Sequence, residues 1–179
     1  MSKIILPTQF TTMPWKNGGG VTHEIAREQR EGNMLWRLSI AEVASDGPFS
    51  LFPGLTRLLT VIEGKGMRLE AGDRVIEAMP LQPVRFSGDE PIFGRLADGP
   101  VRDLNLIFDG ARIDGAVESL GARDGGRSLG QIHGAVLSIA GPVTVDGRAL
   151  PPGAVALGEV DNVRLSENAI VVAVIVREK

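Results

Sequence analysis

The feature that most constrains this chain is the rhythm of its apolar segments. Residues 55–62, 67–70, 74–78, 84–86, 92–96 and 101–108 are short apolar runs separated by turns rich in glycine and proline. Runs of this length do not sustain a helical face, and regular spacing with such turns predicts an all-β sandwich or barrel. From 109 to 130 neither period holds, and the segment reads as a linker with one helical turn. The rhythm then resumes at 134–140, 143–145, 154–157, 163–165 and 169–176. Two echoes suggest an internal duplication. Val84-Arg85-Phe86-Ser87 recurs as Val163-Arg164-Leu165-Ser166, and the turn in Leu69-Glu70-Ala71-Gly72-Asp73 recurs near Val145-Asp146-Gly147.

Ahead of these runs, residues 21–27 and 35–43 flank a polar turn at 28–33 and read as a hairpin. Period-two counting puts Trp36, Leu38 and Ile40 on one face of its second strand and Arg37, Ser39 and Ala41 on the other. A strand with a small polar second face suits either water outside a sandwich or a ligand cavity inside a barrel. The same question arises at Arg57, which shares parity with Leu55, Leu59 and Val61. It is a pocket cation or a rim residue snorkelling outward, and the apolar face favours the pocket. Asp103 and Asn105 likewise alternate inside an apolar strand, on the face of Val101 and Ile107.

The densest functional signal is Met13-Pro14-Trp15-Lys16-Asn17-Gly18-Gly19-Gly20. Proline fixes φ and holds Met13 extended, while three glycines permit close approach, so the stretch reads as a rigid pocket rim. Consecutive glycine amides beside Lys16 also suit an anion-binding concavity. Without a helix behind it, this is neither a phosphate loop nor a dinucleotide fingerprint. Trp15, Lys16, Asn17, Glu24, Arg37, Ser39, Arg57, Phe86, Asp103 and Asn105 form the candidate ligand-binding set, with Trp36 as a further apolar wall. Arginines pair bidentately with carboxylates, and amide and hydroxyl groups orient a small polar molecule, so the set suits a carboxylate ligand, an amino-acid-like or dicarboxylic metabolite. The competing reading is a structural network in which Arg37 or Arg57 satisfies Asp103 or Glu24.

Composition excludes several classes. Nineteen Lys+Arg against 22 Asp+Glu give a net charge of −3, with no basic footprint for nucleic acid. The N-terminal apolar run is too short for a secretory signal, and the longest run, 169–176, falls far below the roughly 20 residues of a membrane-spanning helix. The expected compartment is the cytoplasm, with no membrane partner. There is no cysteine, which removes thiolate metal sites and thiol nucleophiles. Only two histidines exist, His23 and His133, far apart and without His-x-His spacing, so no metal and no cofactor is expected. No Ser-His-Asp order or paired-carboxylate spacing specifies a reaction, and whether the chain is an enzyme stays open.

The Asp-Gly and Pro-Gly turns around residues 146–153 resemble those of a cupin half, and cupins are double-sheet jelly rolls. The ordered set Met13 to Gly20, Thr22, Glu24-Ile25, Trp36-Arg37, Ser39, Phe49-Ser50, Phe52-Pro53-Gly54, Arg57 and Asp103-Leu104-Asn105 resembles the HutD/Ves family over most of the first two thirds. The resemblance implies a bicupin of two jelly-roll, cupin-like β-barrel halves with few helices. The expected layout is an N-terminal half at 1–109 with the pocket, a linker at 110–130, and a C-terminal half at 131–179 completed by N-terminal strands. It also implies bacterial histidine utilisation, and a regulatory or sensing role toward a carboxylated intermediate such as formylglutamate. A metal-independent isomerase or hydrolase with Glu24 or Asp103 as base is the alternative. Family members commonly carry arginine at the position of His23, which lowers its weight as an acid or base. Edge strands in cupins are often covered by pairing, so a homodimer is expected.

Overall fold

The structure, a computed structural model, describes residues 1–122 and 127–179. In chain order its strands are β1 (Lys3–Ile5), β2 (Thr11–Pro14), β3 (Gly20–Arg30), β4 (Asn33–Val43), β5 (Gly47–Pro48), β6 (Thr56–Glu63), β7 (Met67–Ala71), β8 (Arg74–Ala78), β9 (Val84–Ser87) and β10 (Phe93–Leu96). They continue with β11 (Val101–Phe108), β12 (Ile113–Gly121), β13 (Arg127–Leu129), β14 (Ile132–Ala140), β15 (Val143–Val145), β16 (Arg148–Ala149), β17 (Val155–Val160), β18 (Val163–Leu165) and β19 (Ile170–Glu178). A 3-10 turn at Pro7–Gln9 is the only helical element among the described residues. The chain is all-β, as its rhythm predicts.

Residues 11–113 form one compact unit. It holds a six-stranded sheet in the order β2-β3-β4-β11-β6-β9 and a four-stranded sheet in the order β5-β10-β7-β8. Val43, Leu59 and Val61 of the first sheet share a core with Met67, Leu69 and Ala78 of the second. Residues 1–10 and 114–179 form the other unit, with sheets β1-β17-β14-β19-β12 and β13-β18-β15-β16. Its core joins Val136, Val171 and Ala173 to Val143, Val145, Val163 and Leu165.

Counting eight strands from β4 in the first unit and eight from β12 in the second, both show the orders first-eighth-third-sixth and second-seventh-fourth-fifth. The duplication is therefore one of strand order. The turn echo is sound, because Gly72 (φ 58°) and Gly147 (φ 77°) close the fourth-to-fifth hairpin in their respective units. The other echo is not, since Val84–Ser87 is the sixth strand of its set and Val163–Leu165 the seventh. Among the described residues no sheet closes into a barrel: each unit is a pair of open sheets.

The expected linker at 110–130 is corrected as well. Most of it is strand: β12 lies beside β19 and β13 beside β18, while residues 123–126 of the expected linker fall outside the described residues. Ile113 and Gly115 alternate inward, but glycine and alanine carry too little hydrophobic signal to announce a strand whose hydrogen-bond partners come from distant sequence. The N-terminal boundary also moves, because Lys3–Ile5 pairs antiparallel with Leu157, Ala156 and Val155 and so completes the C-terminal unit. The early hairpin is longer than its sequence suggests. Arg30 pairs with Asn33, and the turn is Glu31-Gly32 alone, both at positive φ (53° and 79°), the two-residue geometry that matches strand twist.

Candidate functional site

On β3, β4, β11 and β6, alternate side chains face the four-stranded sheet, and the register stacks the polar ones into rows. Thr22, Ala41, Asp103 and Val61 make the first row; Glu24, Ser39, Asn105 and Leu59 the second; Arg37, Ile107, Arg57 and Phe86 the third. Between these rows and two loops lies a cavity of about 550 Å³. One loop joins β2 to β3 and carries Trp15, Lys16 and Asn17. The other, Pro48 to Phe52, follows β5.

The first loop is held by its own backbone. Trp15 N–H donates to Gly20 O (2.9 Å), Gly18 N–H to Trp15 O (3.0 Å), and Gly19 N–H to the Asn17 side-chain oxygen (2.9 Å). The amides of Gly18 and Gly19 are thus used within the turn, which corrects the anion-binding concavity expected there. Trp15 stands upright because its indole N–H donates to Thr22 Oγ1 (2.8 Å), and a Cβ on Gly20 would lie 2.5 Å from Glu42 O and 3.1 Å from the indole ring. The second loop is seated by Phe49 N–H on Ile92 O and Phe52 N–H on Gly88 O, both 2.8 Å. Phe49 meets Trp15 edge to face, with centroids 6.0 Å apart. It also lies over Gly94, where a Cβ would come within 2.6 Å of its ring.

Arg57 is the buried cation of the site, 6% exposed. Its Nη1 donates to Ser50 O (3.1 Å) and its Nη2 to Asn105 Oδ1 (2.9 Å). Phe86, Phe52 and Phe49 surround the guanidinium with centroids at 5.0, 5.2 and 5.6 Å. Its Nε has no partner among the described residues. Burial lowers its pKa to about 10, against the opposing pull of Asp103. The competing structural pairing is formed by Arg37 with Glu24 (2.7 Å), whereas Arg57 hydrogen-bonds neither Asp103 nor Glu24. Instead Asn105 stands between, giving its amide N–H to Asp103 Oδ1. Asp103 is fully buried and its Oδ2 has no partner among the described residues. Desolvation raises its pKa to about 7, with Arg57 and the Asn105 hydrogen bond acting the other way.

Eight of the ten expected residues line the cavity: Trp15, Lys16, Asn17, Arg37, Ser39, Arg57, Asp103 and Asn105. Glu24 and Phe86 do not. Glu24 accepts from Arg37 Nε (2.7 Å) and sits 3.5 Å from Arg27 Nε, so it orients Arg37, and Phe86 lies in the core beside Arg57. Trp36 turns away, donating to Glu28 Oε2 (2.9 Å). Thr22, Ala41, Pro48, Phe49, Ser50, Phe52 and Ile107 also line the cavity but are absent from the expected set. Thr22, Ala41 and Ile107 were legible, since they share parity with Glu24, Ser39 and Asn105. No periodicity marks Pro48 to Phe52, whose placement follows from anchors on distant strands.

The lining includes one carboxyl and no imidazole. His23 bonds to Thr12 and Glu42 (2.9 and 3.0 Å), and His133 sits 3.8 Å from Glu159 in the other unit. Among the described residues, no three His, Cys, Asp or Glu side chains converge. The donors at this cavity do not fit the imidazole-rich metal sites that many cupins carry.

Open sheet pairs in this order, with a polar cavity on the larger sheet of one of them, define a cupin-like protein. The Bacillus subtilis oxalate decarboxylase shares that fold at a TM-score of 0.65 and 10% identity, over 96% of this chain and 76% of that one. The chain belongs to the HutD family, whose model matches residues 7–178. HutD from Pseudomonas fluorescens is 32% identical over 99% of this chain and 100% of its own, with a TM-score of 0.82. A conserved protein of unknown function from Pseudomonas aeruginosa is 30% identical over 98% of each chain, with a TM-score of 0.84. An uncharacterised 21.2 kDa protein in the hutC 3′ region of Pseudomonas putida is 41% identical over 109 residues, which span 59% of this chain and 57% of that relative. The family is associated with histidine utilisation. No helix among the described residues is long and apolar enough to cross a membrane.

Proposed function

We propose that this chain is a bicupin whose first unit binds a small carboxylated intermediate of histidine degradation, formylglutamate or a close relative, without a metal, and so reports or limits flux through the pathway. The observation that carries this reading is the convergence of Arg57, Arg37 and Lys16 on one cavity that also holds aromatic walls and oriented amide and hydroxyl groups. The arrangement is rigid before any ligand arrives, because Glu24 fixes Arg37 and two hydrogen bonds fix Arg57. Preorganised cations in a partly desolvated site bind carboxylates at little ordering cost. The matching strand orders of the two units support the bicupin reading. Isothermal titration with N-formylglutamate and urocanate, run beside a thermal-shift series, tests it. Saturable binding with a raised melting temperature is expected, and no heat and no shift with either compound would remove the carboxylate reading.

One observation favours a second reading. A buried carboxyl whose pKa is pushed to about 7, with one oxygen unpartnered, is suited to proton transfer near neutrality. If Asp103 serves a metal-independent isomerase or hydrolase, N-formylglutamate or urocanate is consumed in a progress assay and the Asp103→Asn variant is inactive. Glu24 drops out as a base, since two arginines hold it outside the cavity.

A further inference from the structure

Resting on that reading, we infer that the cavity selects carboxylates that lack an ammonium group, so that N-acylated and amine-free acids enter while free amino acids of the same skeleton are rejected.

Three cations line the cavity, Lys16, Arg37 and Arg57, against the single carboxyl of Asp103. That carboxyl is a poor counter-charge, because it is fully buried, its Oδ1 already accepts from Asn105, and desolvation favours its neutral form. Glu24, the acid of the second row, is taken by Arg37 and Arg27 and does not reach the cavity.

Several neutral acceptors already receive a hydrogen bond, and among the described residues Ser39 Oγ and the buried Asp103 Oδ2 are left without one. Thr22 Oγ1 accepts from Trp15, Ser50 O and Asn105 Oδ1 accept from Arg57, and Asn17 Oδ1 accepts from Gly19. The other groups with unused capacity are donors. Among the described residues, Lys16 and the two Nη groups of Arg37 are not committed to any carboxylate, and the Asn17 amide N–H is likewise uncommitted. The walls therefore present mainly donors to a ligand's oxygens, and to an –NH3⁺ only a serine hydroxyl and one buried carboxyl oxygen. An ammonium entering such a site gives up hydration, finds only the buried Asp103 carboxyl as a counter-charge and meets three like charges. A formamide or a conjugated double bond at the same carbon avoids all three penalties.

Matched pairs differing at that one nitrogen test the inference. N-formylglutamate against glutamate, and urocanate against histidine, are titrated calorimetrically at pH 6.0, below the pKa of about 7 at Asp103, and at constant ionic strength. In each pair the member without the ammonium should bind at least about tenfold tighter. Charge reversal at the exposed Lys16, in Lys16→Glu, should narrow that ratio by weakening the acid and tolerating the amine, with an unchanged melting curve as the control for folding. Equal affinity within a pair, or preference for the amino acid, overturns the selection while leaving the carboxylate reading in place. Binding by no member of either pair removes both.

Discussion

The two units repeat one strand order around very different interiors. In the unit of residues 114–179 with 1–10, the central strand β19 sends Val171 and Ala173 into a core that β14, β15, β17 and β18 complete with aliphatic side chains. In residues 11–113 the corresponding strand β11 sends Asp103 and Asn105 inward, and the corresponding β6 sends Arg57. Strand order is thus indifferent to whether these inward positions are polar, provided that the turns and the apolar majority are kept. What the polar positions change is the interior. Charged groups cannot pack as aliphatics do, and their hydrogen-bond chain and aromatic collar surround a cavity.

The comparison can be broken first at Arg57. If the polar interior supports its unit as an aliphatic core would, Arg57→Ala should cost about 3–5 kcal/mol of unfolding free energy, because it strands the Ser50 carbonyl, Asn105 and three phenyl rings. Leu165→Ala in the aliphatic unit should cost about 2–5 kcal/mol. Denaturant melts of both variants decide this, and a loss under about 1 kcal/mol for Arg57→Ala would show that the cation serves ligand alone.

Acidity should act with opposite sign in the two units. The native pKa of Asp103, about 7, lies above its ordinary value of 3.8. Between these values the native state holds a proton that the unfolded chain releases, so this contribution is full below about pH 4 and is lost as pH rises toward 7, at up to about 1.4 kcal/mol per pH unit. In the other unit Ser2 Oγ–H donates to Asp146, and this holds its carboxyl below the ordinary value. Its contribution is present above the ordinary range and lost as pH falls. Melting against pH should therefore flatten between pH 4 and 7 in Asp103→Asn, and lose part of its acid limb in Asp146→Asn.

Gly94→Ala sharpens the comparison at the loop that roofs the cavity. Phe49 has to move off the new Cβ, which should cost about 1–3 kcal/mol and loosen the Pro48 to Phe52 wall. The smallest effect on stability is expected at Arg37→Ala, under about 1 kcal/mol by melting, since Arg27 remains beside Glu24. Affinity for N-formylglutamate should nevertheless fall at least about tenfold in the same variant. A large melting loss with unchanged affinity would make Arg37 a structural residue.

Much of this molecule was legible before folding. Alternation and turn chemistry locate most of the strands from β3 to β11, because period-two burial and positive-φ turns are local properties that a sequence states directly. Parity likewise grouped Arg37 with Ser39 and Asp103 with Asn105 on shared faces and favoured the pocket for Arg57, while the direction of the first two faces stayed open. Three things were decided only by tertiary structure. Strand β12 exists because β19 offers it hydrogen bonds, although its own glycines and alanine argue weakly for extension. Phe49 and Phe52 became cavity walls because glycine and strand anchors far along the chain seat their loop. The partners of Arg57 are Ser50 and Asn105, not the carboxylates that charge alone would nominate, because in a buried site the geometry of one intervening amide outweighs the attraction of opposite signs.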